Sequence, residues 1–157
     1  MAKNMISFHR HQVAGTLSSL LGNAIEFCES KYASKQLAIE FDIDAGLECE
    51  RVSGSTMTTI RDLLEQACER SPAGCQVLIT VVETTAGIEV EVADEGQMVL
   101  GDGDSVLKSA GIQARKSREA WRQVVASTAE VFCTNCPQGG VAWTVVIPTA
   151  MQAQNAA

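Results

Sequence analysis

The sequence lacks any apolar run long enough to cross a bilayer. Its opening, MAKNMISFHRHQVAG, holds no apolar segment followed by a small-residue cleavage site. Together these absences lead us to expect a soluble, cytoplasmic chain with no membrane contact. Positive charge is also scarce: 12 Lys and Arg stand against 19 Asp and Glu, a formal net charge of -7. Such a balance repels phosphate backbones, so a nucleic-acid partner is not expected. Internal repeats, low-complexity blocks and linkers are missing, which implies a single domain over residues 1–150 followed by a frayed tail, 151–157. Walker motifs, nucleophile elbows and metal-binding His pairs are missing as well. The CTNC stretch has C-x-x-C spacing, but no second pair accompanies it, so Cys133 and Cys136 read as core or surface thiols rather than zinc ligands. All six cysteines are expected to be reduced, most of them as small buried hydrophobes.

What is present is a clear alternation of periods. Val13, Leu17, Leu20, Leu21, Ala24, Ile25 and Cys28 recur at three- and four-residue steps and predict a first helix of about six turns. QLAIEFDID then alternates, with Leu37, Ile39, Phe41 and Ile43 on one face and Glu40, Asp42 and Asp44 on the other, as in a half-buried strand. A short strand around Leu47 to Val52 follows. Ser53 and Ser55 supply N-cap hydroxyls for a second helix through Ile60, Leu63, Leu64 and Ala67, which Ser71-Pro72 stops. CQVLITVVET and GIEVEVAD predict a hairpin turning at Thr85-Ala86-Gly87. Residues 95–116 read as a long loop, with a turn of helix near Ser105–Ser109. A third helix is expected from Ser117 through Ala120, Trp121, Val124, Val125 and Thr128, before a last hairpin of AEVFCTN and GGVAWTVVIP. The implied fold is an α+β two-layer sandwich: a mixed, mostly antiparallel sheet with three helices on one face.

Three stretches in this order, TIRDLLEQACERSP, IEVEVADEG and GGVAWTVVIP, resemble the ATP-binding domain of the GHKL superfamily, which includes sensor histidine kinases, gyrase and mismatch-repair ATPases. They stand where the family has its N-box helix, its first glycine box and the final strand of its kinase domains. The resemblance runs from about Leu17 to Pro148 and implies a histidine-kinase-type ATPase fold (Bergerat fold) that binds ATP with Mg.

That resemblance carries roles onto particular residues. Asp94 stands where a carboxylate accepts the exocyclic amine of adenine, and Gly96 where a glycine lets the backbone come close. Gln66 occupies the place of the N-box asparagine that offers its oxygen to magnesium, on an arm one methylene longer. Asp62, one turn earlier, takes the place of the catalytic glutamate of hydrolysing members. Glu69 and Arg70 follow Gln66; the acidic residue has the wrong sign for phosphates unless Arg70 offsets it. Met98 replaces the second glycine of the first box, and ARKS, Ala114 to Ser117, replaces the later glycine-rich box. Arg115, Lys116 and Arg118 are left there as side-chain anion ligands at a helix start. His9 and His11 lack the acidic neighbour and downstream proline of a phosphoacceptor motif.

The expected function is therefore a stand-alone histidine-kinase-like ATPase domain of signal transduction, with a degenerate nucleotide site and a role exerted through protein interaction. An active ATP-dependent protein kinase resembling the anti-sigma-factor serine kinases is the alternative, and a scaffold that binds no nucleotide is the third reading. The implied partner is a response regulator, sigma factor or kinase, and a homodimer is left open, since sheet-edge and helix-one dimers occur among relatives.

Overall fold

The computed structural model describes residues 15–96, 115–116, 121–125, 129–136 and 139–148. The expected loop turn near Ser105–Ser109, Met98, Ala114, Ser117, Arg118, the two histidines and the tail lie outside the described residues.

A two-residue strand, β1 (Gly15–Thr16), pairs antiparallel with β3 (Arg51–Val52) and launches helix α1 (Leu17–Lys31). The first helical amides find partners at once: Leu17 N–H donates to the Glu50 carbonyl at 2.7 Å, Ser18 N–H to that of Glu48 at 3.2 Å, and Ser19 N–H to Thr16 Oγ1 at 3.3 Å. With those N-terminal donors satisfied, α1 starts later than the apolar pattern suggests and spans 15 residues, about four turns rather than six. Leu17, Leu21, Ala24 and Cys28 form its buried stripe.

Helix α2 (Gly54–Arg70) is capped by Ser53, whose hydroxyl accepts from Thr56 N–H at 3.2 Å. Its other end is unusually well covered. Ser71 Oγ donates to the Ala67 carbonyl at 2.8 Å, and Lys35 Nζ donates to the carbonyls of Cys68 at 3.0 Å, Ser71 at 3.1 Å and Glu69. An ammonium on the terminal carbonyls both satisfies them and opposes the negative end of the helix dipole. Lys35 comes from the short 3-10 turn Ala33–Lys35 that ends α1, so the same cation ties the two helices together.

Among the described residues the main sheet has seven strands, in the order β2, β4, β5, β9, β8, β7, β6. They are β2 (Ala38–Ile43), β4 (Gln76–Thr84), β5 (Gly87–Asp94), β6 (Arg115–Lys116), β7 (Trp121–Val125), β8 (Ala129–Asn135) and β9 (Val141–Ile147). Among the described residues only β2 and β4 run parallel, and every other pairing is antiparallel. In the β4–β5 hairpin Ile79 lies opposite Val92 and Val81 opposite Val90, as the alternation of both runs requires. Val77, Ile79, Val81, Val90, Val92, Val131, Trp143 and Val145 form the inner layer, fully buried with Leu17, Leu21, Ile60, Leu63 and Leu64 of the helices. The mixed two-layer α+β architecture is as expected.

One element differs. Among the described residues there are two helices, and the segment expected as the third contains β7, with Arg115–Lys116 paired to it as β6. Trp121, Val124 and Val125 satisfy helical spacing, yet aromatic and β-branched residues in a short apolar run serve a strand equally well. The partner decides: residues 121–125 pair in register with Ala129–Cys133 of β8. Lys116 is accordingly a strand residue, not the start of a helix.

Candidate functional site

The site forms where three chain ends converge: the C-terminus of α2, the end of β5 and the start of β9. Asp94, the last residue of β5, is only 3% exposed. Its Oδ1 accepts two backbone N–H groups, from Gly96 at 2.9 Å and from Val141 at 3.2 Å. Its Oδ2 is buried and has no hydrogen-bond partner among the described residues. Burial pushes the Asp94 carboxyl above the usual carboxylate range, against the pull of the Gly96 N–H, the Arg70 charge and the Val141 N–H. A buried acceptor left without a donor costs free energy that a ligand donor would recover.

Backbone closeness shapes this corner. A Cβ added to Gly96 would lie 3.0 Å from Asp94 Oδ1 and 3.1 Å from the Arg70 carbonyl, so the absence of a side chain lets the loop after β5 reach the end of α2. At Gly140 the added atom would strike the Asp94 carbonyl oxygen, and the backbone there is left-handed, with φ +88°. Glu95, next in the chain, turns away: its Oε2 accepts from Gln76 N–H at 2.9 Å.

Helix α2 supplies the neighbouring wall. Asp62, Gln66 and Arg70 follow each other at four-residue steps on one stripe, each half-buried. Arg70 contributes charge to the surroundings of both Asp94 and Cys133. The Asp62 side chain, 41% exposed, lies 3.8 Å from Arg61; partial burial pushes its carboxyl upward, the Arg61 charge pulls it down and Glu65 adds to the rise. The structure therefore brings Asp94, Gly96 and Arg70 together, with Gln66 one turn and Asp62 two turns back along α2. Lys116 lies on another strand. Its strand β6 lies four strands along from β5, roughly 19 Å at the usual strand spacing.

Two participants were not legible as such in the sequence. Val141 contributes only a backbone N–H, which no side-chain pattern reveals. Gly140 was visible in the Gly-Gly pair, but its packing onto Asp94 follows from the sheet order. Cys133 is a core thiol, pushed up to about 12 by burial, while Cys136 sits half-buried in the turn. Among the described residues no group of three or more His, Cys, Asp or Glu could hold a metal ion. No described helix is long and apolar enough to cross a membrane.

No protein-family model matches the sequence, and no curated protein matches it. Solved structures do. The nucleotide-free catalytic domain of histidine kinase ThkA matches with a TM-score of 0.63 at 16% identity, over 87% of this chain and 95% of that one. ThkA in complex with response regulator protein TrrA matches with a TM-score of 0.64 at 15% identity, over 89% of this chain and 42% of that one. Full-length ShkA in complex with AMPPNP matches with a TM-score of 0.60 at 15% identity, over 88% and 31% of the two chains. At such identities the likeness speaks for architecture alone, and together with the two-layer arrangement around Asp94 it shows that this chain has the fold of a histidine-kinase ATPase domain.

Proposed function

We propose that this chain is a histidine-kinase-like ATPase domain of signal transduction that keeps the base-recognising corner of its nucleotide site and has lost most of the metal and phosphate side. One observation carries this reading: Asp94 is held by two backbone donors on Oδ1 while its buried Oδ2 has no partner among the described residues. An exocyclic amine of adenine would supply the missing donor, as the family resemblance implies for Asp94, and Gly96 lets the loop after β5 close on that carboxylate. Magnesium and the phosphates fare worse. Gln66 would offer its side-chain oxygen to the metal from α2, and Arg70 would face the phosphates beside the wrong-signed Glu69. Lys116 would have to reach them from β6, four strands along the sheet from β5.

Binding in such a site rests on the base. The protein then acts through a signalling partner, with nucleotide occupancy as a modest bias. The ThkA structure contains a response regulator, which supports a partner of that class; a sigma factor or a kinase fits the same role. A second reading, an active ATP-dependent protein kinase, is favoured by Asp62, a carboxyl raised by burial one turn before Gln66, where a general base would stand.

Thermal unfolding with adenosine, ADP and ATP, each with and without magnesium, tests the proposal. A ligand at a hundredfold over its Kd adds about 2.7 kcal/mol, or roughly 5–10 °C for a domain of this size. Adenosine and Mg-ATP should give similar shifts, both lost in Asp94→Ala. A shift that requires ATP and magnesium together, with phosphate release abolished by Asp62→Asn, would move the kinase reading ahead. If no nucleotide shifts the midpoint, the proposal fails.

A further inference from the structure

Strand β2 lies at one end of the seven-stranded sheet and pairs on one side only, with β4. In a parallel pair, alternate residues aim both N–H and C=O at the same neighbour. Ala38 N–H donates to the Cys75 carbonyl at 3.0 Å and Asp44 N–H to that of Val81 at 2.9 Å. Even-numbered residues thus face β4, and the backbone groups of Ile39, Phe41 and Ile43 point to the other edge. Among the described residues no strand pairs there.

The side chains tell the same story. Ile39, Phe41 and Ile43 are only half-buried, whereas Val77, Ile79 and Val81, their register partners on β4, are 0% exposed. An added strand would complete their burial and satisfy the open ladder at once. On the opposite face Glu40 and Asp42 are exposed, and the strand contains no Pro or Lys of the kind that usually blunts an edge.

Charge selects the occupant. A second copy paired antiparallel about Phe41 would set Glu40 against Asp42, and one paired about Glu40 would set that residue against itself. Like charges directly opposite are destabilising, so these registers disfavour self-pairing. A strand whose outward residues are Lys or Arg meets both carboxylates favourably, and the net charge of -7 draws it in. We propose that the β2 edge is a docking site for an extended segment of a partner protein in which basic residues alternate with apolar β-branched ones. The proposal is independent of nucleotide binding.

Residue-resolved amide exchange on the full chain, with and without a capped heptapeptide of alternating lysine and valine, tests it. In the free protein the amides of Glu40, Asp42 and Asp44 should be protected and those of Ile39, Phe41 and Ile43 should exchange quickly. The peptide should slow exchange at the latter three, and N-methylation of its pairing amides should abolish the effect. Glu40→Lys with Asp42→Lys, both exposed positions, should weaken the lysine peptide by roughly tenfold and admit a glutamate–valine one. Protection of the three amides before any peptide is added would overturn the proposal, as would the absence of binding at millimolar peptide. Equal binding of the N-methylated peptide would overturn it too, because the contact would then be electrostatic alone.

Discussion

Asp94 Oδ1 accepts the backbone N–H of Val141 at 3.2 Å, tying the end of β5 to the start of β9 across 47 residues of sequence. The bond orients the carboxylate so that its other oxygen stays buried, without a donor among the described residues. A side chain held in this way is set up for a ligand at the expense of the empty fold.

Asp94→Asn should therefore separate stability from binding. The amide oxygen can still accept from Gly96 and Val141, while the buried charge is gone, so the variant should be at least as stable as the parent at pH 7. An NH2 group now faces the amine of adenine, and nucleotide-induced stabilisation should vanish. Calorimetry with and without adenosine checks both halves; a variant that unfolds more readily and still binds would contradict them.

The same carboxyl makes a pH prediction. Its folded-state pKa lies above the ordinary value because of burial, so the native state binds the proton more tightly than the unfolded chain. The stability this contributes is present below the ordinary carboxylate pKa, about 3.9, and is lost as pH rises through the raised folded pKa. The advantage of Asp94→Asn over the parent should accordingly grow with pH across that window and level off above it. Denaturant titrations of both proteins from pH 4 to 8 measure the difference, and a gap that narrows with rising pH would reject the argument.

Lys35 is expected to matter more than a lysine usually does. Replacing it by Met removes the donor to the Cys68, Glu69 and Ser71 carbonyls while keeping most of the stem. Charged hydrogen bonds of this kind contribute about 2 kcal/mol, so the midpoint should fall by roughly 4–8 °C. Because the end of α2 abuts Gly96, adenosine binding should weaken in parallel. A midpoint unchanged within a degree would show that water caps the helix equally well.

The two adjacent glycines should respond differently. Both have positive φ, +104° at Gly139 and +88° at Gly140, but an added Cβ at Gly139 meets nothing within 4 Å, whereas at Gly140 it strikes the Asp94 carbonyl. Gly139→Ala should cost about 1 kcal/mol from backbone strain. Gly140→Ala should cost roughly 3 kcal/mol or more and disturb the Asp94 corner. Equal losses in urea melts would mean that the close approach is easily relieved.

Thiol labelling reports on the core. Cys49 is exposed, while Cys28, Cys68 and Cys133 are buried. In native buffer alkylation should reach Cys49 first and the three buried thiols only on unfolding. Mass mapping of early modification at Cys28 or Cys68 would place the α1–α2 interface nearer to solvent than described.

Much of the fold could be read in the chain because periodicity reports local geometry directly. Val77, Ile79 and Val81 alternate because they face the helices, and Ser53 and Pro72 bracket α2 for reasons confined to a few residues. The run Trp121–Val125 misled because five residues rich in aromatic and β-branched side chains carry no decisive period. Lys116, expected at the start of that helix, lies in strand β6 instead.

The sequence by itself determined the class of fold, both described helices, the hairpins and Asp94 as a carboxylate ending a strand before a glycine, since each depends on neighbours a few positions away. Only the tertiary structure decided that Val141 donates to Asp94, that Gly140 presses on it, that Lys35 caps α2 and that β2 forms an open edge. Those relationships join residues tens of positions apart through strand order and helix packing, and the free energy that selects them comes from burial and hydrogen bonding formed only when the whole sheet closes on its helices.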